Sequence, residues 1–149
     1  MTMTQFPTEF REFLILLNAH EVRYLLIGGY AVGYYGYPRT TADIDFWIAA
    51  TPENAERMVA VLTEFGFGVE ELEAALFLDA NRIIRMGYAP LRIEIVMSIS
   101  GVEFEECYRE RERPVLDGIE VSMIGLACLK RNKRASGRHK DLDDLEHLP

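Results

Sequence analysis

Short apolar runs alternate along this chain with segments whose apolar residues recur at helical spacing, and that interleaving admits few architectures. Residues 23–27 (Arg-Tyr-Leu-Leu-Ile) read as a buried strand ended by Gly28-Gly29, and residues 44–50 form a second strand-like run. Residues 82–87 and 91–98 read as two antiparallel strands joined through Tyr88-Ala89-Pro90. Helices are expected from Pro7-Thr8 to about Asn18, from Tyr30 to Tyr35, and across residues 53–65 behind the Thr51-Pro52 cap pair. Further helices are expected over 102–111, over 124–134 with Ser122 as cap, and over 140–148, with a short one inside 68–78. Asp117-Gly118 signals a hairpin over 114–121. The expected fold class is α/β (α+β), a single mixed β-sheet flanked by helices, in one domain over residues 1–149.

Composition then narrows the function classes. At 49% hydrophobic and 27% charged residues, disorder and low-complexity repeats are excluded. Cys107 and Cys128 make no CxxC and no dense framework; they read as core-facing helix residues, and a reducing cytoplasm is the default location. Met1 to Gln5 lead into no long apolar run, and no stretch approaches the roughly 20 apolar residues that span a bilayer, so a soluble chain without a secretory signal is expected. The net charge of −8 opposes indiscriminate nucleic-acid binding. Its distribution is uneven: residues 130–140 hold six of the sixteen Lys and Arg and no acid. A basic patch therefore sits on an acidic body.

Within the second strand, Asp43 and Asp45 project from one side, about 7 Å apart at the backbone, while Ile44 points into the core. Unpaired, two such carboxylates repel; divalent cations would neutralise them, and oxygen-only ligands favour Mg²⁺ or Mn²⁺ over zinc. A solvated strand face is the plainer alternative. Gly28-Gly29, between strand and helix, lets the backbone approach a ligand and leaves N–H groups where phosphate binds favourably, although a simple tight turn has the same sequence. Arg39, Thr40 and Thr41 stand just before the acids, a charged donor and two hydroxyls near where phosphates would lie. Glu94 occupies the middle of an apolar strand, between Ile93 and Ile95. Beside the Asp43–Asp45 strand it would complete a three-carboxylate site able to hold two metals; otherwise it pairs with Arg82 or Arg85 across the hairpin. His20, His139 and His147 lack metal-ligand spacing. Tyr30, Tyr34 and Tyr37 either pack or stack a base.

The order Gly28-Gly29, Arg39-x-Thr41-x-Asp43-x-Asp45, then Ile93-Glu94-Ile95 resembles the nucleotidyltransferase superfamily, the polymerase beta-type enzymes and bacterial minimal nucleotidyltransferases. The ending, Lys133 to Asp144, resembles that of small bacterial relatives, some of them toxins of toxin–antitoxin and abortive-infection systems. The resemblance implies the nucleotidyltransferase fold and an Mg²⁺-dependent transfer of a nucleoside monophosphate from NTP to an acceptor hydroxyl. It implies that Gly28 and Gly29 hold phosphates and that Asp43, Asp45 and Glu94 are both catalytic and metal-binding. It extends the nucleotide site to Arg39, Thr41, Lys133 and Lys140, with Asp141 and Asp144 orienting those cations or the base. The acceptor is left among an RNA end, a protein and a small molecule, with an antitoxin-like partner in view. Many relatives carry aspartate where Glu94 stands, so a catalytically silent nucleotide-binding or partner-binding member is the alternative.

Overall fold

The computed structural model describes residues 5–37, 41–68, 72–87 and 90–149. Helix α1 (Thr8–Ala19) buries Phe10, Phe13, Leu14 and Leu17, a stripe at i, i+3, i+4, i+7. Strand β1 (Tyr24–Ile27) is buried throughout, and α2 (Gly28–Tyr34) begins at the next residue. Strand β2 (Asp43–Ile48) follows, then α3 (Pro52–Leu62), whose first turn is capped by the Thr51 hydroxyl accepting from Asn54 N–H. The helix expected to reach residue 65 ends at Leu62 and gives way to a wide turn, Thr63–Phe67, in which Gly66 takes a left-handed φ of 105°. The helix expected within 68–78 reduces to one 3₁₀ turn, Ala74–Phe77.

The hairpin strands β3 (Ile83–Met86) and β4 (Arg92–Val96) complete a four-stranded sheet in the order β1-β2-β4-β3. Its outer pairs are antiparallel and the central β2–β4 pair is parallel, a mixed sheet. Alternation sorts its faces. Ile44, Phe46, Ile93 and Ile95 are buried on one, where Phe13 meets Phe46 with ring centroids 5.5 Å apart; Asp43, Asp45 and Glu94 lie on the other.

After β4 come α4 (Phe104–Arg109), the short hairpin β5 (Val115–Leu116) and β6 (Ile119–Glu120), α5 (Leu126–Ser136) and α6 (His139–His147). Ser122 does not cap α5 as expected. Its carbonyl accepts from Leu26 N–H at 2.8 Å and Ile124 N–H donates to Leu26 O at 3.2 Å, so the segment covers the free edge of β1. The sheet's unpaired backbone groups outcompete a local cap, and α5 starts only after Gly125. Cys107 and Cys128 are core-facing helix residues, fully buried, and their sulfurs are joined in a disulfide tying α4 to α5. Among the described residues no helix is long and apolar enough to cross a membrane.

Candidate active site

The parallel pairing of β2 with β4 fixes the site. Its register sets Asp43 opposite Arg92 and Asp45 opposite Glu94, so the three acids share one face. Burial, with the Glu94 and Asp43 carboxylates beside it, pushes the Asp45 carboxyl up to about 7. Glu94 is also engaged from its other side: Arg85 Nε on β3 donates to its Oε1 at 3.2 Å. The cross-strand pair weighed as an alternative to a site role thus coexists with the convergence on Asp45.

Gly28 and Gly29 turn the chain over these acids. A Cβ at Gly28 would run into the Asp45 carboxylate, and its φ of +71° lies in the left-handed region. At Gly29 a Cβ would come within 3.1 Å of Thr41 Cβ. The Thr41 hydroxyl is occupied locally, donating to Asp43 O at 3.0 Å and accepting from Asp43 N–H at 3.3 Å. It clamps the backbone that carries the first acid. Arg39 and Thr40 lie outside the described residues.

Facing the acidic wall is a basic one from α5 and α6. Lys133 is buried with its ammonium 3.2 Å from Asp141 Oδ1 and 3.0 Å from Asp144 Oδ2, both carboxylates being 1% exposed. Asp141 also accepts from Arg138 Nε at 2.8 Å and from Arg138 N–H at 3.3 Å, which closes the turn from α5 into α6. Burial alone would raise Asp141, but hydrogen bonds from Arg138 and Lys133 outweigh it and hold the carboxyl below its ordinary value. Lys133, expected on a triphosphate, therefore has its charge matched within the protein. Lys140 remains the unpaired cation of this wall among the described residues, and its charge reaches Asp45 across the gap.

Between the walls is a cavity of about 430 Å³. It brings together Gly28, Gly29, Thr41, Asp43, Asp45, Glu94, Lys133 and Lys140; Asp141 and Asp144 stand behind Lys133. Sequence reasoning missed Ser100, Asn132, Ser136 and Arg138, which also line it. Asn132 and Ser136, four apart on α5, carried a helical-face signal; Asn132 Nδ2 donates to Ser100 O at 3.0 Å, holding the loop after β4 against the helix. Among the described residues no three Asp, Glu, His or Cys side chains are gathered as tightly as a loaded metal site gathers them. The donor set nonetheless suits a hard cation, because three carboxylate-bearing residues face one cavity and Asp45 is half-buried beside like charges.

No protein-family model matches the chain, and no curated protein matches its sequence. Its architecture does have solved counterparts. A candidate nucleotidyltransferase from Thermotoga maritima superposes with a TM-score of 0.61 at 16% identity, covering 92% of this chain and 88% of that one. The antibiotic-resistance factor ANT(2'')-Ia gives 0.57 at 11% identity, covering 93% and 80%. A lincosamide antibiotic adenylyltransferase bound to lincomycin gives 0.51 at 15% identity, covering 99% and 98%. The chain has the nucleotidyltransferase fold.

Proposed function

We propose that this protein transfers a nucleoside monophosphate from NTP to the hydroxyl of a small organic acceptor. The observation that carries the proposal is the Asp45–Glu94 register across β2 and β4, with Asp43 on the same face and the Gly28-Gly29 bend above it. Asp43, Asp45 and Glu94 are the residues that would hold Mg²⁺ or Mn²⁺, which would offset the triphosphate's charge and acidify the acceptor hydroxyl. The diglycine backbone approaches the phosphates without side-chain obstruction, and Lys140 meets their charge from α6. Glu94 takes the acceptor's proton as the new oxygen–phosphorus bond forms at the α-phosphate and the bond to the departing pyrophosphate breaks. Positioning and electrostatics suffice for this, with no protein nucleophile.

The small acceptor is supported by two of the structural counterparts, one an antibiotic-resistance factor and the other a lincosamide antibiotic adenylyltransferase bound to lincomycin, and by a net charge of −8 that disfavours long polyanions. The test incubates the protein with each labelled NTP and a cell lysate, then sorts label among small molecules, RNA and protein. Metal-dependent label in the small-molecule fraction, absent with Asp45→Asn, supports the reading. Label on RNA or protein overturns the acceptor class. Calorimetric binding of Mg²⁺·NTP without any transfer identifies a silent nucleotide-binding member of the fold instead.

A further inference from the structure

Glu94 has neighbours on both sides in the sheet, Asp45 across the parallel pair and Arg85 across the antiparallel one. A glutamate is one methylene longer than an aspartate and has one more torsion to fix before its carboxylate can serve as a ligand. Here the fixing group is visible. Arg85 Nε donates to Oε1 at 3.2 Å, and the carboxylate remains within interaction range of Asp45. Arg85 itself is 61% exposed on an edge strand, so neither burial nor packing accounts for the pairing.

We propose that Arg85 is a positioning residue, holding one oxygen of Glu94 so that the other is presented beside Asp45 for a divalent cation. The inference rests on the metal-binding part of the functional reading above. Carboxylate ligands held by an outer hydrogen bond bind metal more tightly than free ones, and losing such a partner typically costs ten- to a hundredfold in affinity. Simple charge repulsion has the opposite sign: removing a guanidinium beside the site would then tighten cation binding.

The experiment measures Mn²⁺ binding to the nucleotide-free full chain by electron paramagnetic resonance, for wild type, Arg85→Met and Arg85→Gln. The glutamine amide nitrogen occupies the place of arginine Nε and can still donate, whereas the methionine methyl fills the same place and cannot. Arg85→Met is expected to weaken Mn²⁺ binding about tenfold, at the low end of that range because the pair is exposed. Arg85→Gln is expected to stay within about threefold of wild type. In a Glu94→Asp background, whose shorter side chain draws back from Arg85, the Arg85→Met effect is expected to disappear. Unchanged or tighter binding by Arg85→Met, or equal loss in Met and Gln variants, overturns the proposal while leaving the metal-binding reading intact. A wild-type protein that binds no Mn²⁺ overturns both. Circular dichroism on each variant confirms that the fold is kept, as expected for an exposed side chain at the sheet edge.

Discussion

The Asp45 carboxylate occupies the space that a side chain on Gly28 would fill. Glycine is needed there twice over, for that space and for a φ of +71°. Gly28→Ala is therefore expected to lose about 1–2 kcal/mol from backbone strain alone, and to displace Asp45 as well. Urea denaturation measures the first effect. Transfer of labelled NTP, expected to fall steeply, measures the second, and a variant of wild-type stability and activity would show that the bend is an ordinary turn.

Two lysines of the same cavity are expected to behave in opposite ways. Lys133→Met removes the cation that Asp141 and Asp144 share; Arg138 still donates to Asp141, so the loss should be about 2–4 kcal/mol, below that of a fully uncompensated buried charge. Among the described residues Lys140 has no such partners, so Lys140→Met should change stability by less than about 0.5 kcal/mol. Its effect belongs to the nucleotide: the KM for NTP should rise about tenfold as a charge-assisted contact is lost. Chemical denaturation and steady-state kinetics on both variants separate the two roles.

The alternation Asp43-Ile44-Asp45-Phe46 shows which side chains share a face because period two is local, and the Thr51-Pro52 cap and the hairpin of residues 82–87 with 91–98 are equally local signals. The parallel register that brings Glu94 to Asp45 is not local, since α3 and a whole strand intervene before β4 pairs with β2. The resemblance implies Asp141 and Asp144 as orienting groups for Lys133 and Lys140 or for the base; that both carboxylates close on Lys133 depends on the return of α6 onto α5. Ser122 has the chemistry of a cap, yet the open edge of β1 claims its backbone first. The Cys107–Cys128 pairing depends on α4 packing against α5, which spacing does not encode.

Asp45 is expected to show opposed effects on stability and function. It is half-buried beside two other carboxylates, an arrangement expected to cost the metal-free fold stability. Asp45→Asn keeps the shape, removes the repulsion and gives Glu94 an amide donor. With chelator present at pH 8, the variant should gain about 0.5–2 kcal/mol in urea denaturation. Nucleotide transfer should fall about a hundredfold or more. A variant that is both less stable and inactive would point to a structural carboxylate instead.

Acid stability depends on the opposite end of the cavity. The Asp141 carboxyl lies below its ordinary value of 3.8 in the folded protein, burial being outweighed by the hydrogen bonds from Arg138 and Lys133. A depressed folded value means the unfolded chain binds more protons, so this contribution is complete above the ordinary value and disappears as pH falls through the folded one. Arg138→Leu narrows the gap between the two states. The variant should begin to unfold at a higher pH than wild type when titrated from pH 6 to 2, followed by Trp47 fluorescence. Because Arg138 is 72% exposed, solvent screens much of its effect, and the difference should shrink further when salt is raised from low ionic strength to about 0.5 M. Superimposable acid transitions for the two proteins, or a difference indifferent to salt, would show that Lys133 alone sustains the Asp141 charge.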